Sequence, residues 1–277
     1  VIPRAPYRLH FHRDFTFADA AKLVPYLAAL GISHCYASPL LKARPGSKHG
    51  YDIVEHNRLN PELGSPQEFE HFIEVLHEHG MGLILDMVPN HMGVMGNDNP
   101  WWLALLENGP ASDTAHYFDI DWAPLKAALR SKVLVPVLGD HYGNVVEKGE
   151  LSLTFDPEQG HFDVRYYEHR FPVDPSSYAT LLGHHLTQLG ERLGEQDPGL
   201  LEFASLNTGF SNLPPRTETD PDRLAERQRD QRVHKQHLTR LYHENADIAR
   251  YIDEVVQAFN ETTGQTANAT LLHHLLE

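Results

Sequence analysis

Between Gly82 and His91 the chain reads Gly-Leu-Ile-Leu-Asp-Met-Val-Pro-Asn-His. A short apolar run of this kind is expected to be a strand buried on both faces, as in parallel sheets. An acid and then Pro-Asn-His follow at its C-terminal end. The chain before it supplies matching elements. Tyr7-Arg8-Leu9-His10-Phe11 is a candidate strand, and Ile32 to Ala37 a second. Between them Phe17, Ala20, Ala21, Val24, Leu27 and Ala28 recur at helical spacing, with Thr16 as cap, Asp19 at the third helical position and Gly31 as terminator. Pro25 inside this run predicts a kink. After a long loop from Ser38 to about Gly64, Ser65-Pro66-Gln67-Glu68 forms a capping box with proline at the first helical position. Phe69, Phe72, Ile73 and Leu76 form the buried face of that helix, and Gly80 ends it.

Strand, helix, strand, helix, strand implies an α/β fold with a parallel sheet and right-handed crossovers. A dinucleotide-binding sheet would carry a Gly-x-Gly-x-x-Gly turn after its first strand, and none is present, so a (β/α)8 barrel is favoured. In such a barrel the C-terminal strand ends carry the site, which makes Asp86 and His91 candidate site residues. Three strands do not close a barrel, and nothing after residue 92 restarts its rhythm. Residues 93 to about 125 are irregular and rich in Asn, Asp, Trp and Pro; 133–138, 151–155 and 162–168 read as short strands. From about Ser176 the chain is mostly helical, with Asp220 to about Glu244 a long charged helix, Ile248 to about Phe259 another, and Leu271 to Leu276 the start of a further one. The expected division is 1–92, the opening of a barrel; 93–175, an irregular and β-rich insertion after its third strand; and 176–277, a helical insertion.

Composition narrows the function. The 277 residues carry 23 Lys+Arg against 38 Asp+Glu, a formal charge of −15, which repels phosphate backbones and anionic lipid. Neither nucleic acid nor membrane is an expected partner, and no apolar run is long enough to span a bilayer. The single cysteine, Cys35, excludes an internal disulfide and fits a reducing, cytoplasmic compartment. Twenty histidines occur without Cys/His or His-Glu-x-x-His spacing, so no metal site and no cofactor are expected.

The loop after the second strand contains Gly46-Ser47-Lys48-His49-Gly50-Tyr51-Asp52. Together with Asp86-Met87-Val88-Pro89-Asn90-His91 it resembles the α-amylase superfamily of retaining glycosidases and transglycosidases. Further runs narrow the resemblance to the maltooligosyltrehalose synthase family: Tyr7-Arg8-Leu9, Phe15-Thr16-Phe17-Ala18-Asp19, Tyr36-Ala37-Ser38-Pro39, Asn99-Pro100-Trp101-Trp102, Glu107-Asn108-Gly109-Pro110, Phe118-Asp119-Ile120-Asp121-Trp122 and Leu213-Pro214-Pro215-Arg216-Thr217-Glu218-Thr219. They spread over essentially the whole chain. The resemblance implies an isomerase that turns the reducing-end α-1,4 linkage of a maltooligosaccharide into an α,α-1,1 linkage by intramolecular transglycosylation. A trehalohydrolase would act next on the product. The alternatives are a hydrolytic amylase relative and a non-catalytic glycan-binding module.

By the same resemblance, Tyr51 is the aromatic platform under a sugar ring, and His49 and Asp52 orient its loop or bind sugar hydroxyls. Asp86 positions an arginine near the nucleophile, and His91 donates to a sugar hydroxyl. Asn90 supports the adjacent insertion, through calcium in some members, but no acidic cluster accompanies it here. Trp101 and Trp102 either line outer sugar subsites or belong to the core. Retaining chemistry needs a carboxylate nucleophile and a carboxylic acid/base about 5–5.5 Å apart. The family's nucleophile run, Gly-x-Arg-x-Asp after the fourth strand, and the glutamate after the fifth do not occur in these residues. No catalytic carboxylate is therefore expected in this chain. It is expected to be an inactive N-terminal portion, completed by the remainder of its polypeptide as a second chain or within a longer one.

Overall fold

The computed structural model describes residues 2–94, 96–261 and 275. The chain divides into two compact units, Val1–Pro100 and Trp101–Glu277.

In the first unit the elements run β1 (Pro6–Leu9), α1 (Phe17–Ala29), β2 (His34–Ala37), β3 (Leu41–Ala43), β4 (Ile53–Leu59), α2 (Pro66–Glu78) and β5 (Gly82–Leu85). β1, β2 and β5 form a parallel sheet in the order β1-β2-β5, with Arg8 opposite Tyr36 and Tyr36 opposite Ile84. Side chains alternate across a strand, so this register sorts the residues by face. Leu9, Cys35 and Ala37 join one core with Phe17, Val24 and Leu27 of α1 and Phe72 and Leu76 of α2. Arg8, Tyr36 and Ile84 occupy the other face. Phe11 is 1% exposed and its ring meets those of Phe17 and Phe72 at 5.6 and 5.8 Å. Both helices begin as expected. The Thr16 N–H donates to Asp19 Oδ2 at 3.1 Å, and the Ser65 N–H to Glu68 Oε2 at 2.7 Å while Ser65 Oγ accepts from the Glu68 N–H. α1 runs through Pro25 as one helix. Gly31 follows at φ +86°, a conformation glycine adopts without strain.

Three expectations for this unit are corrected. The first strand stops at Leu9, and Phe11 is buried beyond it. The stretch 38–64 is not all loop, because β3 and β4 pair as an antiparallel hairpin and Pro61–Leu63 forms a 3-10 turn. β3 is three residues long and its pairing is irregular, which hides it from periodicity. The apolar run 82–85 is not buried on both faces. β5 ends the sheet among the described residues, and Leu85 is 50% exposed.

The second unit contains α3 (Pro100–Asn108, entering from the last residue of the first), α4 (Tyr142–Glu147), β6 (Leu151–Asp156), β7 (His161–Tyr166), β8 (His169–Pro172), α5 (Tyr178–Leu182), α6 (Leu186–Leu193), α7 (Pro198–Ser211), α8 (Pro221–Glu244) and α9 (Ala246–Asn260), with short 3-10 turns between. β6, β7 and β8 form an antiparallel meander. One core gathers Leu153, Phe162 and Val164 of the meander with Tyr178, Phe203, Phe210, Leu238 and Ile252 of the helices. The expected strand 133–138 is absent. Pro136 interrupts Val-Leu-Val-Pro-Val-Leu and has no N–H for a ladder, and Leu134 is 74% exposed. The helix start expected at 271–276 lies outside the described residues except for Leu275.

Phe72 carries the contact between α2 and the sheet. Phe72→Ala should lower unfolding stability by about 3–5 kcal/mol, and Ser65→Ala by about 1 kcal/mol, both read from urea denaturation at constant m-value.

Candidate functional site

On the sheet face away from the helices, three side chains close a triangle. Asp86 follows β5 directly, and its N–H donates to the Ala37 carbonyl at 3.2 Å, which continues the ladder by one residue. Two residues past Ile84, its side chain falls on the face of Arg8 and Tyr36. Arg8 Nη2 donates to Asp86 Oδ2 at 2.9 Å and to Tyr51 Oη at 2.8 Å, and Tyr51 Oη donates to the same Oδ2 at 2.5 Å. The Arg8 guanidinium lies 4.4 Å over the Tyr36 ring, a cation–π contact, and its Nε donates to His10 Nε2 at 3.2 Å. The Tyr51 hydrogen bond, ahead of the Arg8 pair, holds the Asp86 carboxyl below the usual carboxylate range, and desolvation opposes it. The same bond pushes the Tyr51 hydroxyl up, and Asp86 does the same to Arg8.

The loop between β3 and β4 delivers Tyr51. Ser47 Oγ accepts from the Gly50 N–H at 3.1 Å and donates to Asp52 Oδ1 at 2.5 Å. Gly50 sits at φ +75°, and a Cβ there would stand 2.7 Å from the Pro39 carbonyl oxygen, so this turn requires glycine. His49 Nδ1 accepts from the Tyr51 N–H at 3.0 Å, and the two rings stack at 6.1 Å. His91 Nε2 faces the Tyr51 carbonyl at 3.1 Å and must be its donor; Nδ1 then accepts from Asn90 Nδ2 at 3.1 Å. Six of the expected site residues (His49, Tyr51, Asp52, Asp86, Asn90 and His91) thus form one connected group at the C-terminal strand ends. His91 and Asn90 are spent on the loop, with His91 pinning the Tyr51 backbone rather than standing free.

Trp101 and Trp102 lie in the second unit. Trp102 is 8% exposed against the Phe118 ring, and Trp101 is half-buried and stacks on Tyr117 at 4.6 Å. Arg8, Tyr36 and Ser47 were not singled out from the sequence. Arg8 carried a usable signal, since an arginine inside a packed strand demands a carboxylate partner. Among the described residues no group of three His, Cys, Asp or Glu could hold a metal ion. No helix of the described residues is long and apolar enough to cross a membrane. Cys35 is fully buried, and burial pushes its thiol up to about 11, so it is unreactive.

The alpha amylase catalytic-domain family matches residues 20–143 of this chain. The chain also resembles maltooligosyltrehalose synthases. It is 41% identical to the solved maltooligosyltrehalose synthase from Arthrobacter ramosus over 62% of this chain and 21% of that one, with a TM-score of 0.53. A further solved maltooligosyl trehalose synthase is 36% identical over 62% of this chain and 23% of its own, with a TM-score of 0.56. A Mycobacterium tuberculosis protein provisionally named maltooligosyl trehalose synthase is 39% identical over 155 residues, 53% of this chain and 20% of that protein. The chain therefore spans about a fifth of the length of the relatives it matches.

Because the Asp86 pKa is lowered in the folded state, its ionised form stabilises the fold above the ordinary carboxylate range. That contribution is lost as pH falls through the lowered value. Tyr51→Phe removes the largest cause, so the Asp86 pKa should rise toward the ordinary carboxylate range and the acid limb of the stability curve should move to higher pH. A carboxyl-carbon NMR titration of wild type and variant reads this directly; an unmoved Asp86 resonance would show that the hydroxyl does not hold the carboxylate.

Proposed function

We propose that this chain is the substrate-binding opening of an enzyme that rearranges the reducing end of maltooligosaccharides from an α-1,4 to an α,α-1,1 linkage. In this reading residues 1–92 are the first three strand-helix units of an eight-stranded barrel. Residues 93–175 and 176–277 are an insertion after the third strand. The observation that carries the reading is Tyr51, an aromatic side chain fixed at the strand ends by Asp86 and Arg8. A ring with an apolar face and a tethered hydroxyl suits a pyranose, and its pinned backbone spares the sugar the cost of ordering it. His49 and Asp52 flank the ring. Trp101 and Trp102 pack within the second unit, against Tyr117 and Phe118.

Asp86 serves as a positioning group. It is held ionised, so it is no proton donor, and its Oδ2 already takes two hydrogen bonds. The nucleophile and the acid/base come from outside these residues, in the remainder of the polypeptide. An isomerisation also requires that the released glucose be held away from water until it attacks. The product is non-reducing, which suits it to a following trehalohydrolase in the cytoplasm.

Incubation with maltopentaose tests this. The chain alone should bind and convert nothing, and Tyr51→Ala should weaken binding about tenfold, roughly the worth of one sugar–aromatic contact. With the remainder of the barrel supplied, reducing ends should disappear at unchanged oligosaccharide mass. Release of glucose and shortened chains would instead mark a hydrolase, a reading that gains from the 33% identity over 115 residues to an intracellular maltogenic amylase of Bacillus subtilis. Binding without conversion in the completed protein would mark a glycan-binding module.

A further inference from the structure

The second unit has a solvent-open cavity of about 310 Å³, within the range of small-molecule sites. Leu106, Val133, Leu151 and Phe171 give it an apolar wall, in which Arg216 and Asp174 also stand. None of its lining residues belongs to the Arg8–Tyr51–Asp86 cluster. The cavity draws on two of the sequence runs that the proposed function leaves unused, around Glu107–Pro110 and Leu213–Thr219.

Two arginines come together here, and they are solved differently. Arg227 is 1% exposed, and each of its three nitrogens is bonded. Its Nη2 donates to Asp174 Oδ1 at 2.7 Å, Nη1 to the Pro214 carbonyl at 2.5 Å, and Nε to Asn108 Oδ1 at 3.3 Å. Arg216 lacks such a set. Its Nε is buried and meets no acceptor. Gly109, at φ +56°, lets the chain pass so close that a Cβ there would stand 2.7 Å from that Nε. The Arg216 carbonyl is anchored by the Ala111 N–H at 3.0 Å, so the residue is held in place. Desolvation pulls the Arg216 pKa down, and the nearby Asp174 charge works against that. Asp174 is nevertheless committed to Arg227. The cavity's lining carboxylate, Asp174, is bonded to Arg227 at 2.7 Å.

We propose that this cavity binds a carboxylate carried on an apolar body, with Arg216 as its anchor. The guanidinium fork matches a carboxylate in shape and charge, and a charge-assisted pair would offset the desolvation of the cation. The Leu, Val and Phe wall calls for a hydrocarbon body. A sugar would leave hydroxyls unpaired against it. The carboxylate belongs either to a free small acid or to an acidic side chain presented by polypeptide beyond the described residues.

The test is a titration of the 277-residue chain with 4-methylpentanoate, followed on the arginine Nε–H NMR resonance assigned to Arg216 by its loss in Arg216→Lys. We expect that resonance to shift on addition of the acid. The uncharged 4-methylpentanamide should bind at least about tenfold more weakly, as loss of a charge-assisted hydrogen bond predicts. Arg216→Gln should abolish the response, with circular dichroism confirming that the variant folds. If it does not fold, the wild-type comparison of acid with amide decides alone. An Arg216 resonance that ignores the acid, or that responds equally to acid and amide, overturns the proposal. Repeating the titration in a longer polypeptide that carries this chain separates the sources: a persisting response identifies a free acid, and a lost response with Arg216 already shifted identifies the protein's own side chain.

Discussion

The register of three parallel strands is the constraint on which the first unit depends. Arg8 lies opposite Tyr36, and Tyr36 opposite Ile84, two residues before Asp86. The same register places Leu9, Cys35 and Ala37 on the helix-covered face. A slip of one residue in any strand would turn a charged or hydroxyl-bearing side chain into the packing of α1 and α2. The fold therefore cannot bury its core without also gathering Arg8, Tyr36 and Asp86 on the free face. The hydrophobic effect sets the register, and the polar cluster is its geometric consequence.

Charge then fixes what the register gathers. Asp86 bonds Arg8 of β1 across the intervening strand β2, and Tyr51 from a hairpin, so one carboxylate ties a strand end to a loop. Loops of this length are costly to order. This one is tied at several other points, through Ser47 to Asp52, Gly50 under Pro39, and His91 to the Tyr51 carbonyl. The lowered Asp86 pKa and raised Tyr51 pKa are two views of one short hydrogen bond. Together these ties present an aromatic ring in a set orientation before any ligand arrives, which is how preorganisation converts contact area into affinity.

Much of this was legible in the residues, for physical reasons that also mark where legibility ended. The capping boxes at Thr16 and Ser65 announce their helices because they satisfy orphan N–H groups locally. The parallel sheet follows from strand-helix alternation. The hairpin of β3 and β4 did not show, because an irregular three-residue strand has too few side chains to establish a period. The stretch 133–138 misled in the other direction. Its valines and leucines satisfy composition, but Pro136 removes the backbone donor that a ladder needs. Tyr51, Asp86 and His91 were visible as candidates from motif and loop position. Arg8 signals only that a carboxylate must partner it, not which one, since that one stands 78 residues away, and His91's bond to a backbone carbonyl is invisible to any motif.

The three packed arginines show how far pairing decides what a charged group does. Arg8 shares Asp86 with a tyrosine and caps an aromatic ring, so its charge is spent on orientation. Arg227 bonds through each of its three nitrogens, to Asp174, Asn108 and the Pro214 carbonyl, and thereby joins α3, the segment after α7 and the turn before α5. Arg216 stands beside it with the same chemistry and no acceptor on Nε. Nothing in packing alone accounts for that, since a leucine would fill the same apolar surroundings without the cost of a desolvated cation. A guanidinium kept in an apolar cavity, next to a carboxylate already bonded elsewhere, is chemically complete only when a second carboxylate arrives.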